Sequence, residues 1–140
     1  IITQIHAGYV AESVFGESTV AMSGELDHQG ADFQVKYKGN ILNYQVKKKS
    51  FSGEVRRGKG GVKNKIEGQF IDINYEVPSS DYFEHPRKKN GEYKLPYKRF
   101  QENKEMERLP NGFVVFTPFA FEQMKRKIDQ ASTQFDGLFQ

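Results

Sequence analysis

Asp32 is followed, after twelve intervening residues, by Gln45-Val46-Lys47. The intervening pattern predicts that these side chains meet. Apolar Phe33, Val35 and Tyr37 alternate with Asp32, Gln34 and Lys36, and beyond Gly39-Asn40 apolar Leu42, Tyr44 and Val46 alternate with Asn43, Gln45 and Lys47. That is the pattern of two strands joined by a tight turn. With Gly39 and Asn40 as a two-residue loop, Tyr37 faces Leu42, Val35 faces Tyr44 and Phe33 faces Val46, all on one apolar face. The other face then sets Asp32 across from Lys47 and Gln34 across from Gln45. A carboxylate, an amide and an ammonium come within a side chain's reach. An isolated Asp and Lys so placed would be a surface salt bridge worth only ~0 to 1 kcal/mol.

The charge around the hairpin gives the group more meaning. Residues 1–35 hold five acids (Glu12, Glu17, Glu25, Asp27, Asp32) and no Lys or Arg. Between Lys47 and Lys65 stand eight cationic side chains, Lys47, Lys48, Lys49, Arg56, Arg57, Lys59, Lys63 and Lys65, against Glu54 alone. A carboxylate-rich segment running into a basic one suits an enzyme that holds a divalent cation with the first and polyanion phosphates with the second. The competing reading of the basic run is a solvated loop.

The elements that must position these residues follow from periodicity. Ile2, Ile5, Tyr9, Val10 and Val14 recur at the period of an amphipathic helix over 2–15, stopped by Gly16. Ser18 to Ser23 is β-prone, and Gly24 to Gly30 reads as a turn. Phe51 to Gly68 lacks periodicity and is expected to be a long functional loop. Phe70 to Val77 alternates as a strand, and Ser79 to Phe100 reads as irregular surface or a hairpin insertion, within an insertion spanning about 78–110. Gln101 to Leu109 reads as a short polar helix, Phe113 to Thr117 as a buried strand, and Phe119 to Ala131 as a helix with Phe121, Met124 and Ile128 inside. With no internal repeat, 140 residues imply one domain. The order implies an α/β fold, helices around a mixed central sheet.

Gly30-Ala31-Asp32 and Gln45-Val46-Lys47 resemble the PD-(D/E)XK nuclease superfamily, in particular the Mrr-like variants whose second acidic position is Gln. The resemblance covers Ile1 to Ser50 in motif and order, and Phe113 to Ala131 in general strand-then-helix pattern. It implies a restriction-endonuclease-like core and a Mg²⁺-dependent endonuclease acting on DNA, with Mn²⁺ able to substitute. It implies Asp32, the Gln45 amide oxygen and the Val46 carbonyl as metal ligands, and Lys47 as the group that orients water or offsets charge developing on the phosphate. Glu12, from the preceding helix, is the further ligand in that pattern, and Glu25 or Asp27 is the alternative. Ala31 stands where the motif name has Pro. Gln45 carries one negative charge fewer than an acid, so weaker metal binding is expected. Lys48, Lys49, Arg56, Arg57, Lys59, Lys63 and Lys65 are then the expected phosphate contacts, which position the nucleic acid without reading sequence.

Composition excludes some other chemistry. No cysteine means no disulfide and no thiolate metal site, and His6, His28 and His85 are too scattered for structural zinc. No run approaches the ~18 apolar residues of a membrane span. The chain reads as a piece of a longer, intracellular protein (cytoplasmic or nucleoid-associated), or as the nuclease head of a secreted toxin. Many nucleases of this type dimerise, so a homodimer is allowed by analogy. Gln134 to Phe139 loosely resembles peptides that dock on sliding clamps, although a tail folding back on the core explains it as well. Aromatic residues interleave with Lys and Arg between Tyr82 and Phe100, a pattern that suits either base stacking or a packed surface hairpin. The rival to an enzyme is a nucleic-acid-binding module of the same fold that has lost catalysis, with Gln45 as the trace of that loss.

Overall fold

In the computed structural model, which describes residues 2–48 and 66–137, the first element is helix α1, Ile2–Phe15. Gly16 ends it at φ +120°, its N–H donating to the Glu12 carbonyl at 2.8 Å. The limits agree with the sequence pattern, and of its apolar residues Val10 and Val14 pack against the core. Ile5 and Tyr9 are 44% and 68% exposed, whereas Ala7, Ala11 and Phe15 are buried. The small residues face inward because the helix lies close on the sheet: a Cβ added at Gly8 would sit 3.7 Å from the Phe33 ring and collide with the Met22 side chain.

The main sheet runs β1 (Val20–Ala21), β2 (Phe33–Tyr37), β3 (Asn40–Lys48) and β4 (Gln69–Tyr75), in that spatial order. The first three are antiparallel and β4 lies parallel to β3, so the sheet is mixed. Gly24–His28, expected as a turn, is a short helix, α2, because the Ser23 hydroxyl caps it by accepting from Leu26 N–H at 3.1 Å.

The hairpin register differs from expectation by two residues. The turn is Lys38-Gly39, with φ of +46° and +79°, the left-handed conformations that a type I′ connection needs at both central positions. Asn40 belongs to the strand, and its side-chain amide donates to the Tyr37 and Lys38 carbonyls. Phe33 therefore pairs with Tyr44, Gln34 with Asn43, Val35 with Leu42 and Tyr37 with Asn40. A slip of two preserves which face each side chain takes.

Phe33, Val35, Leu42, Tyr44 and Ile73 form the buried face of the sheet. Helix α5 (Phe119–Gly137) closes over it, with Phe121 edge-on to Tyr44 at 5.3 Å and to Phe33 at 6.0 Å. Phe121 and Ile128 are buried as expected and Met124 packs beside them. Between β4 and α5 come α3 (Ser80–Glu84), α4 (Leu95–Glu102), β5 (Met106–Arg108) and β6 (Val114–Phe116), the last two forming a separate antiparallel pair. The expected helix over 101–109 is thus an α4 terminus followed by a strand, since Met106 is drawn into the core beside Phe116. The architecture is α/β, a mixed central sheet flanked by helices.

The hairpin turn is tied to α5 through Asp129, which accepts from Tyr37 Oη at 2.6 Å, Lys38 Nζ at 2.7 Å and Lys125 Nζ at 3.0 Å. Lys38, then the Tyr37 hydroxyl and Lys125, hold its carboxyl well below the usual carboxylate range. A depressed folded-state pKa contributes stability above the unfolded value, near 4, and loses it as pH falls further. Denaturant titrations at successive pH values should therefore show wild type losing stability below about pH 5 more steeply than Asp129→Asn.

Candidate active site at the end of the central hairpin

Asp32 is placed by the backbone before it. Gly30, at φ +93°, turns the chain out of α2, Ala31 N–H donates to Leu26 O at 2.9 Å, and Ala31 is fully buried. Asp32 N–H then donates to Tyr44 O at 2.8 Å, the last backbone bond between β2 and β3. One step on, Asp32 Oδ2 accepts the Val46 N–H at 2.7 Å. Within a strand residue the N–H and C=O point to the same edge, so the Val46 carbonyl faces the space beside this carboxylate.

The paired register ends at Phe33 and Tyr44, and Asp32, with its N–H on Tyr44 O and its carboxylate on Val46 N–H, brackets Gln45 and does not take the expected place opposite Lys47. Gln45 is 7% exposed, and its buried Oε1 has no hydrogen-bond partner among the described residues. Such an orphaned acceptor costs on the order of 1–3 kcal/mol, which makes it a candidate for a ligand. Lys47 pairs with Asp72 on β4, with Nζ 2.8 Å from Oδ2. Its side chain is 11% exposed, against 46% for Asp72. Gln34 Nε2 donates to Asn43 Oδ1 at 2.8 Å, so the expected Gln34–Gln45 pair is absent too.

Asp72 was not picked out by sequence reasoning, although a signal was present. In Phe70 to Val77 the apolar alternates Ile71, Ile73 and Tyr75 take the core face, which sends Asp72 to the polar face. What the pattern could not say is that β4 runs parallel to β3 and pairs Asp72 with Gln45.

Glu12 is half-buried on α1, the helix that packs through Ala7, Ala11 and Phe15 on the side of the sheet where Phe33 points. Glu25, on α2, accepts a hydrogen bond from Gln29 Nε2 within that helix and its cap. Lys48 is exposed at the end of β3, opposite Tyr75. Lys49, Arg56, Arg57, Lys59, Lys63 and Lys65 lie outside the described residues, as does the end of the clamp-like tail. Elsewhere, Asp81, Glu84 and His85 come together on an exposed turn, an arrangement common without any ion. Among the described residues no helix is long and apolar enough to cross a membrane.

The chemistry available is therefore a carboxylate, a buried amide oxygen and a backbone carbonyl at one strand edge, with an ammonium fixed two residues beyond the amide. Comparison with known proteins points the same way. A family profile described as TaqI restriction endonuclease matches residues 1–133. The Type II restriction enzyme TthHB8I of Thermus thermophilus is 28% identical over 118 residues, 81% of this chain and 44% of that protein, so the chain spans less than half of its relative's length. No solved structure matches. The chain belongs to the TaqI restriction endonuclease family.

Proposed function

We propose that this chain carries the catalytic core of a metal-dependent DNA endonuclease of the PD-(D/E)XK type, in the variant with Gln at the second acidic position. The observation that carries the reading is the orphaned, buried Gln45 Oε1 beside an Asp32 carboxylate anchored to Val46 N–H. Oxygen-only donors suit Mg²⁺ or Mn²⁺, hard cations that keep several waters and need few protein ligands. Asp32, Gln45 Oε1 and the Val46 carbonyl would hold the ion. Once bound, it supplies Lewis acidity and a more acidic water.

The chain's own residues do the rest. Lys47 has three N–H donors. One is committed to Asp72, which holds the ammonium beside Gln45, and the others are aimed at the attacking water or at charge developing on the phosphate. Asp72 is thus a positioning residue. Glu12, from α1, would be the further carboxylate ligand. The segment 78–110, which contains α3, α4 and β5, is an insertion between strands of one domain.

Nicking of supercoiled plasmid is the direct test. It should require Mg²⁺ or Mn²⁺, fall at least about a hundredfold in Asp32→Ala and Lys47→Ala, and fall also in Glu12→Gln. DNA retention unaffected by chelator, with no nicking in either metal, would instead support the inactive binding module.

Asp72→Asn should lower the maximal nicking rate about 10–100-fold while leaving DNA affinity in chelator unchanged. An equal loss of affinity would remove Asp72 from the positioning role. Gln45→Glu adds the missing negative charge, so the Mg²⁺ concentration for half-maximal rate should fall. No change there would mean that Gln45 is not a ligand.

A further inference from the structure

Residues 87–99 (RKKNGEYKLPYKR) carry six cationic side chains and one acid, a formal +5 against +3 for the whole chain. Such self-repulsion opposes a compact local structure. Yet the segment is tightly built. Arg87 and Tyr93 form a β-bridge, Lys88 N–H donates to Glu92 O at 2.7 Å, Lys94 N–H to Pro86 O at 2.7 Å, and Gly91 turns the tip at φ +88°.

The aromatic residues are consumed in holding this arm. The Arg87 guanidinium lies 4.0 Å from the Tyr93 ring centroid, and the same side chain donates to Tyr93 Oη and Gly91 O, each at 2.7 Å. Tyr97 packs against Tyr93 at 5.1 Å, Phe83 against Tyr97 at 6.2 Å, and Phe83 meets the buried Phe100 at 5.1 Å. A ladder of rings therefore runs from the tip to the core, and Tyr93 already has Arg87 and Tyr97 as neighbours. That is a frame, and it disfavours a platform for unpaired bases. Lys88 and Lys89 at the tip and Lys98 on α4 are exposed, and among the described residues they make no ion pair.

The arm is also in the right place. Arg99 lies 3.6 Å from Glu76, four residues past Asp72. At ~3.3 Å per residue the arm's root is roughly 13 Å from the Asp72–Lys47 pair, a length of duplex that carries about eight phosphate charges.

We propose that this arm is a phosphate clamp for duplex DNA, with Lys88, Lys89 and Lys98 binding the backbone beyond the scissile position without reading sequence. The proposal rests on the nuclease reading above. A solvated, solubilising face would have the same charge but no need of a rigid aromatic frame.

The test is the binding of a short fluorescent duplex, followed by polarisation in chelator from about 50 to about 200 mM salt. Wild type is compared with Lys88→Ala/Lys89→Ala/Lys98→Ala and with the matching triple Lys→Arg variant. Each lost contact should reduce the slope of log K against log salt by about 0.9, so the Ala variant should lose roughly 2–3 in slope. The loss should be the same on unrelated sequences, and the Arg variant should restore it. Wild-type binding with an unchanged slope in the Ala variant overturns the clamp and leaves the nuclease reading standing. If wild type fails to bind duplex at all, both fall together. Because the three lysines are exposed, unchanged thermal melting confirms that a lost slope is not lost fold.

Discussion

The backbone ladder between β2 and β3 stops at Asp32 N–H on Tyr44 O, and the next β3 donor on that edge, Val46 N–H, is met by the Asp32 carboxylate at 2.7 Å. A charge-assisted bond of this kind is stronger than a neutral one, and without it a part-buried N–H would lose its partner. One side chain thereby finishes the sheet and sets a carboxylate at its edge. The position of Gln45, of the Val46 carbonyl and of Lys47 relative to that carboxylate follows from strand geometry alone. A site built this way needs little support from loops, which suits chemistry that tolerates small errors in position poorly.

Charge economy explains the other two members. Asp32, just before β2, and Asp72, on β4, flank β3 at Gln45. A third carboxylate between them, in a position 7% exposed, would be costly wherever no cation was bound. The amide keeps an oxygen donor without that repulsion. Lys47 balances Asp72, so the uncompensated polar atom of the group is the one best suited to a hard cation. Weaker electrostatic attraction for metal is the corresponding cost.

Much of the fold was legible because it rests on local periodicity. The limits of α1, the two hairpin strands and their faces, β4, β6 and the inner side of α5 all follow from spacing of three to four or of two. The failures have physical causes. The innermost positions of α1 include Ala7, Gly8 and Ala11, which allow close approach, while Ile5 and Tyr9 are exposed although they belong to the apolar pattern. The hairpin was misread by two because Gly39-Asn40 looks like the loop pair, whereas Lys38 takes the left-handed conformation that Asn40 was expected to take. Met106 makes a strand where a polar helix was read, because its burial beside Phe116 outweighs local propensity. Asp72 depended on a parallel pairing across a long connection, which no local pattern contains.

The two-residue difference in register links distant parts of the molecule. In the expected register Asp32 would face Lys47 and form an ordinary ion pair, with Gln45 displaced toward Gln34. In the observed one Asp32 bonds to Tyr44 O and Val46 N–H, on either side of Gln45, and Lys47 pairs with Asp72. Both registers bury the same apolar residues, so hydrophobic patterning cannot choose between them. The choice is made at the turn, where Lys38 and Tyr37 are both held by Asp129 of α5 and Asn40 closes onto the turn carbonyls. A two-residue slip would replace Lys38-Gly39 by Gly39-Asn40 at the turn centre and pull Lys38 away from Asp129. The ionic contact at one end of the hairpin thus specifies which side chains meet at the other, five residue pairs away, and the alignment of the site is set by a contact that no substrate would touch.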